Sequence, residues 1–449
     1  MTNRLKYFFW EKNKALLFVF SLLLLTVSLF MELREEFLIY SFTALQLSVL
    51  SFWGYWVVIS LFGFGRPRQQ KQHGPEKRFL ILIPAHNEER VIGSLIQNLK
   101  KQEYPEHLYT VTVIADNCSD STASISRSLG VTVIEHTYLP GEKRGKPYAI
   151  KYALDYFGRD LTREFDGVAF FDADNLVSTN YLKEMNDHLC NGDRLIQCYL
   201  DTKNPNDTWV TLSFATSYYY MNRSWQLAKS RLGLGNTVGG TGFCVETYLI
   251  RQIGWTATSL TEDLEFTMQC LLRGVLTKWN HHSRVYDEKP EGFITSCVQR
   301  LRWARGHWDV CFKYALPLLW KSIRDLDIRA FDGFLYLINP GKIILATLIG
   351  LVVSIKWLIP LYWAQSFIPI WIWLILVSFN VFYMIYSVKI DAMRKITMFK
   401  AIPSFFLISY SFIPLFIWAA FTTENKKWVR TEHTRNIAME EVALALEEK

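Results

Sequence analysis

An α/β domain with a mostly parallel sheet, carried between membrane-spanning helices, is the fold this sequence predicts. Three observations predict it. Half of the residues are apolar and 15% are aromatic, and the apolar ones gather at the two ends of the chain, which is a membrane signature. Between the ends, short β-branched or aromatic runs alternate with helical faces. Each of those runs stops at a polar cluster, where an open parallel sheet binds its ligands.

A chain of 449 residues suits one soluble domain plus a membrane part. The first apolar run, Ala15 to Met31, follows the basic residues Arg4, Lys6, Lys12 and Lys14. It reads as a span and not as a cleaved leader: no small-residue site follows it, Glu32 to Glu36 is charged, and a second run, Phe37 to Phe64, comes directly after. Both runs are long enough to cross a bilayer, so residues 1–65 are expected to form a transmembrane hairpin. Arg66, Arg68, Lys71, Lys77 and Arg78 place the following segment in the cytoplasm.

Residues 66–306 then read as a cytoplasmic domain. Phe79 to Ile83 predicts a strand, and Val91, Ile92, Leu95, Ile96 and Leu99 share one helical face. Further strands are expected at Val111 to Ile114, Val131 to Ile134 and Val168 to Phe171, and a helix at Pro147 to Tyr156. Residues 307–449 are expected to hold an interfacial helix, three more spans and a basic tail. Trp308, Phe312, Ala315, Leu316 and Leu319 form the stripe of a helix lying on the bilayer. The spans are roughly Lys342 to Trp363, Phe367 to Val388 and Ile402 to Phe421. Five spans put the C-terminus outside, whereas Lys426, Lys427, Arg430 and Arg435 favour the inside; the side of the tail stays open.

The net charge of +7 does not indicate nucleic acid, because the basic residues lie beside apolar segments and serve topology and anionic lipid. Seven scattered cysteines show neither a paired framework nor metal-ligand spacing.

The strand ends carry the candidate chemistry. Pro84-Ala85-His86-Asn87-Glu88-Glu89 follows the first strand, and Asp116-Asn117-Cys118-Ser119-Asp120-Ser121-Thr122 the second. Either alone is equally well a helix cap; two at successive strand ends favour a nucleotide pocket. Gly145-Lys146 precedes a helix, so its amides and ammonium can face phosphate. Asp172-Ala173-Asp174, if still in a strand, would point both carboxylates the same way, towards one Mg²⁺ or Mn²⁺, although an exposed acidic turn fits the tripeptide as well. Thr261-Glu262-Asp263 opens a helical segment; its acids complement the helix dipole or supply a general base, for which Asp263 is the candidate. Gln299-Arg300-Leu301-Arg302-Trp303 offers a guanidinium for diphosphate and an indole for a sugar face, or else the anchors of an interfacial helix.

Together, Pro84 to Glu89, Asp116, Asp172 to Asp174, Thr261 to Asp263 and Gln299 to Trp303 resemble the family 2 glycosyltransferases, specifically the membrane-integrated synthases of cellulose, chitin, hyaluronan and poly-N-acetylglucosamine. The resemblance runs from about Phe79 to Trp303 and into the flanking spans. It implies a nucleotide-sugar-binding domain of the glycosyltransferase A type inserted between transmembrane helices. It implies that Pro84, Ala85, Asn87, Glu88, Asp116, Asp172, Gln299 and Arg302 bind the donor, beside Lys146 as read from its helix start, that Asp174 binds Mg²⁺ or Mn²⁺, and that Asp263 is the base. Trp303, Glu262, Gly240 and Thr241 would contact the acceptor.

The expected activity is inverting polymerisation of a UDP-activated glucose or N-acetylglucosamine into a β-linked polysaccharide, with translocation across a bacterial cell membrane. The expected partners are the UDP-sugar, the growing polysaccharide and membrane lipid. Single-sugar transfer to a lipid is the alternative within enzymes. A transporter or scaffold would carry ionisable residues inside its spans, where only Lys356 is clear.

Overall fold

The computed structural model describes residues 35–139, 141–355, 358–359, 361, 364 and 368–426. The expected span Ala15 to Met31, Lys356 and the tail from Lys427 lie outside these residues. In chain order the elements are α1 (Glu35–Leu61), β1 (Phe79–Ala85), α2 (Ile92–Leu99), β2 (Tyr109–Asp116), α3 (Thr122–Ser128), β3 (Thr132–His136), α4 (Lys146–Phe157), β4 (Gly167–Phe170), β5 (Leu176–Val177) and α5 (Tyr181–Cys190). There follow β6 (Leu195–Thr202), α6 (Trp209–Met221), β7 (Phe243–Glu246), α7 (Thr247–Ile253), α8 (Glu262–Leu272), β8 (Lys278–Asp287), α9 (Phe293–Arg324), α10 (Ile328–Ile355), α11 (Ile370–Asp391) and α12 (Met398–Phe421).

The strands form one sheet in the order β3-β2-β1-β4-β7-β6-β8-β5. Its first four strands are parallel. The second half is mixed, because β7 runs antiparallel to both β4 and β6. The expected parallel character therefore holds for the half read from the sequence, and β5 to β8 were not read at all.

β1 explains why the core has two faces. Phe79, Ile81 and Ile83 pack on one side with Leu95, Ile96 and Leu99 of α2 and Leu182 and Met185 of α5. Leu80 and Leu82 pack on the other with Ala149, Ile150 and Ala153 of α4 and Phe266 of α8. A strand buried on both faces needs such an unbroken apolar run.

Gly242, beside β7, fits a crowded gap. Its φ is +65°, and an added Cβ would lie 2.5 Å from Val285 Cγ1 and 2.6 Å from Cys198 Sγ. Gly242→Ala should therefore destabilise the domain by roughly 2–4 kcal/mol through backbone strain plus overpacking, read as a lower unfolding midpoint in detergent; an unchanged midpoint would contradict this packing.

Four described helices are long and apolar enough to cross a membrane: Glu36–Leu61, Ile328–Ile355, Ile370–Asp391 and Met398–Phe421. They flank the sheet domain. α10 begins well before the expected Lys342, since its first turns pack on α8 and α9 and are amphipathic where the search was for apolar length. α9 runs through residue 306, so the expected boundary falls inside one helix.

The expected bilayer stripe on α9 is corrected. Trp308 and Ala315, with Cys311 and Leu318, are buried against α10 and α12, while Leu316, Trp320 and Ile323 are exposed. The apolar residues of α9 wrap round it, and the sequence did not show which arc the neighbouring helices take. Arg300 pins α9 to α12: its Nη1 donates to Ile408 O at 3.2 Å and Ser411 Oγ at 2.7 Å, and its guanidinium lies 4.7 Å from the Phe412 ring.

α6 continues through a π-helical turn, Asn222–Leu227. Arg223 in that turn is fully buried, pairs with Asp391 of α11 at 2.7 Å, and donates to Gly63 O and Gly65 O at the exit of α1. One side chain thus ties two membrane helices to the sheet domain.

Candidate functional site

The carboxyl ends of β1, β2 and β4 open on one cavity of about 1410 Å³, which continues between the membrane helices. That exceeds the volume usual for a single small-molecule site, roughly 300–1,000 Å³.

At the β1 and β2 ends, two turns brace each other. Ser119 N–H donates to Asn87 Oδ1 at 2.8 Å and Glu88 N–H to Thr122 Oγ1 at 2.8 Å. Asn87 and Asn117 both hold positive φ, a conformation asparagine tolerates better than most residues. Pro84, Ala85, Glu88 and Asp116 line the cavity, whereas Asn87 does not. Asn87 is the expected donor residue that the fold turns elsewhere, because its side chain is taken up by the neighbouring turn. Asp116 is buried, with Oδ1 2.8 Å from His136 Nδ1 and Oδ2 accepting from Tyr138 OH at 2.7 Å. Tyr138 OH in turn accepts from Gly145 N–H at the start of α4.

Lys146, the first residue of α4, reaches back across the cavity. Its ammonium donates to Asp172 Oδ1 at 2.5 Å and Gly240 O at 2.7 Å and lies 3.7 Å from Glu262 Oε1. Burial works against its charge, but Asp172 and Glu262 hold its pKa above the usual lysine range.

Asp172 and Asp174 both line the cavity, but strand alternation is not what brings them there. β4 ends at Phe170 and the tripeptide is a turn, so the period of two no longer applies. Asp172 faces Lys146. Asp174 is buried, with Oδ2 accepting from Glu288 N–H at 3.0 Å and Oδ1 from Asn175 Nδ2 at 3.3 Å. Asp287, at the end of β8, lies close enough for Asp174 to raise its pKa; burial, the larger cause, helps push it up to about 6. Asp287 Oδ2 pairs with Lys289 at 2.5 Å, while its buried Oδ1 has no hydrogen-bond partner among the described residues. Two mutually repelling carboxylates with an unused oxygen fit a hard, oxygen-ligated divalent cation.

Asp263 sits in the first turn of α8 and lines the cavity. Burial, then the adjacent Glu262, pushes its pKa up to about 7. Gly240 lies opposite, where a Cβ would approach Asp263 Oδ2 to 3.3 Å. Thr241 lines the cavity too, but its hydroxyl donates to Asn175 Oδ1 and accepts from Asp172 N–H, locking the acidic turn.

Gln299, Arg302 and Trp303 fall at i, i+3 and i+4 on α9 and share the cavity face. Arg300, on another face, is the structural anchor described above. Gln299 Oε1 and Arg302 Nε are buried with no hydrogen-bond partner among the described residues. Trp303 stands edge-on to Phe214, ring centroids 6.1 Å apart. The sequence reading missed Asp287, Tyr138 and Lys426. Lys426 lines the cavity mouth and lies 3.5 Å from Asp309 Oδ2; it had been read only as a topology signal, although it directly follows the last span.

Residues 75–306, just over half of the chain, match the model of the glycosyltransferase like family 2. The chain is 24% identical to the probable glycosyltransferase YdaM of Bacillus subtilis, over 78% of this chain and 86% of that one. It is 28% identical to the beta-monoglucosyldiacylglycerol synthase of Trichormus variabilis over 56% of this chain, spanning little more than half (55%) of that relative. The fold is shared with a mannosyltransferase from Pyrobaculum calidifontis solved with GDP-Man and Mn²⁺, at a TM-score of 0.55 and 16% identity, covering 85% of this chain and 97% of that one.

Proposed function

The chain belongs to glycosyltransferase family 2 and carries a glycosyltransferase A fold, and from that premise we propose that it transfers glucose or N-acetylglucosamine from UDP to a hydroxyl presented by the membrane bundle, building a β-linked polysaccharide. The observation that carries this reading is the single cavity running from Asp263 into the bundle. Beyond the carboxylates it is lined by Trp53, Trp56, Trp225 and Tyr336 interleaved with Ser217, Ser224, Asn339 and Asn380. Aromatic faces with hydroxyls and amides between them suit sugar rings better than acyl chains.

In the reaction, the acceptor oxygen attacks the anomeric carbon from the side opposite the diphosphate. Its C–O bond forms as the bond to phosphate breaks, Asp263 takes the hydroxyl proton, and UDP departs. One displacement at an α-linked donor gives a β linkage. Lys146, Gln299 and Arg302 are assigned to the diphosphate, and the Asp116–Tyr138–His136 cluster to the nucleoside. Asp174 and Asp287 would hold the divalent cation, which when bound offsets the charge growing on the leaving group. The sheet domain is assigned to the cytoplasm by the basic residues flanking α1.

Transfer of a single sugar to a lipid is the second reading. It is favoured by the relation to a monoglucosyldiacylglycerol synthase and by α11 and α12, which both lean on α6 and scarcely touch each other. Labelled UDP-sugars given to the purified protein with Mn²⁺ separate the readings: high-molecular-weight product is expected, whereas only lipid-extractable product favours the second, and no turnover of any donor overturns both. Trp303→Ala should shorten the product and weaken acceptor use about tenfold or more while UDP affinity changes little, the range for one stacked aromatic being roughly 1–3 kcal/mol. Polymer of normal length from that variant would remove Trp303 from the acceptor site.

A further inference from the structure

Several deeply buried cations among the described residues are matched by acids, and Lys342 in the cavity is not. Lys229 pairs with Asp332 at 2.8 Å, with Tyr55 OH on the other carboxylate oxygen. Arg223 pairs with Asp391, Lys289 with Asp287 and Arg284 with Asp201. Lys342 lies midway along α10 and lines the same cavity as Asp263, yet no carboxylate comes within 4 Å of it among the described residues. Its nearest recorded partner is the Phe52 ring of α1, at 5.0 Å. A cation inside a membrane helix without a counter-charge is costly, and by default it marks a ligand path.

Its place in the fold narrows the ligand. Lys342 lies midway along the candidate span Ile328–Ile355, and no charged residue follows it in that helix. A lysine in a span ordinarily reaches outward to the headgroups; this one lines the cavity. The cavity also reaches the lipid-facing surface. Val377 and Asn380 of α11 line it on one side and Phe405 and Tyr410 of α12 on the other, with Tyr410 65% exposed.

Lys342 is six residues beyond Tyr336, roughly 9 Å along the helix axis, and both line the cavity that holds Asp263.

We propose that the acceptor is a membrane lipid with a phosphate in its headgroup, and that Lys342 is the residue that selects it. This deepens the reading above and rests on it, since the acceptor must occupy the cavity that holds Asp263. It applies whether one sugar is added to that lipid or many.

The test compares short-chain phosphatidylglycerol with short-chain diacylglycerol, both bearing hydroxyls, as ligands of the full chain in detergent, with UDP and Mn²⁺ affinity measured on the same samples. Wild type should bind the phosphate-bearing lipid at least about tenfold more tightly, Lys342→Met should lose that preference, and Lys342→Arg should keep it. Inorganic phosphate at the same concentration should not displace the lipid; displacement would mean a free-phosphate site and overturn the proposal. Equal wild-type affinity for the two lipids, or a preference retained in Lys342→Met, overturns it as well. A protein that binds no UDP instead overturns the glycosyl-transfer reading, so the two failures are distinguishable.

Discussion

Asp263→Asn should bind UDP and Mn²⁺ as tightly as the wild type and turn over at least about a hundredfold more slowly, the usual scale for removing a positioned general base. Asparagine keeps the size and much of the hydrogen bonding of aspartate but cannot accept a proton at neutral pH. The surroundings of Asp263 make the expectation sharper. Burial and the neighbouring Glu262 push its carboxyl up to about 7, which places a base near the working pH. A base must be ionised to act, so wild-type turnover should rise with pH through this region and level off above it. That acid limb should disappear in the small residual activity of Asp263→Asn. Titration calorimetry with UDP, alongside UDP release from the donor across pH 5.5–8.5 (about one and a half units either side of the Asp263 value), measures both halves. Near wild-type turnover in the variant would move the base elsewhere, with Glu262 the next candidate.

How much of this was legible in the sequence depends on whether a residue's environment is local. Pro84 to Glu88, Asp116 and Lys146 could be placed because each closes a strand or opens a helix whose apolar pattern is clear, and the topology of a parallel sheet then brings those ends together. Gln299, Arg302 and Trp303 were separable from Arg300 only once the segment was known to be helical; in a loop the four have no fixed faces. Asp172 and Asp174 were placed on the cavity for a reason that does not hold, since β4 ends at Phe170 and the period of two does not reach the tripeptide. Asn87 looked like a ligand for the same reason that it serves as a turn residue, its short amide being suited to both. Asp287 and Lys342 were out of reach. Their significance comes from neighbours distant in sequence: Asp174 in one case, and in the other the lack of any carboxylate within 4 Å among the described residues. Lys342 even served as the edge of an expected span, because a hydropathy search treats a lysine as an end.

Removing the divalent cation should be as damaging as removing the base, and it can be done in two independent ways. Asp174→Ala, or exhaustive chelation of the wild type, should lower turnover by about two to four powers of ten, the rate equivalent of the several kcal/mol that a Lewis acid supplies to a leaving diphosphate. Folding should survive both. Asp174 contributes two hydrogen bonds, from Glu288 N–H and Asn175 Nδ2, worth about 1–3 kcal/mol together, and its loss also relieves the repulsion with Asp287. The two treatments differ in one respect that tests the site itself. Adding Mn²⁺ back should restore the chelated wild type and leave Asp174→Ala inactive. Asp287→Asn should fall between, because an amide oxygen still ligates a hard cation but without charge, so that more Mn²⁺ is needed to reach half of its maximal rate. Full activity of the chelated wild type would remove the cation from the mechanism and leave Lys146, Gln299 and Arg302 to carry the diphosphate alone; rescue of Asp174→Ala by Mn²⁺ would instead move the ligand to another carboxylate of the same cavity.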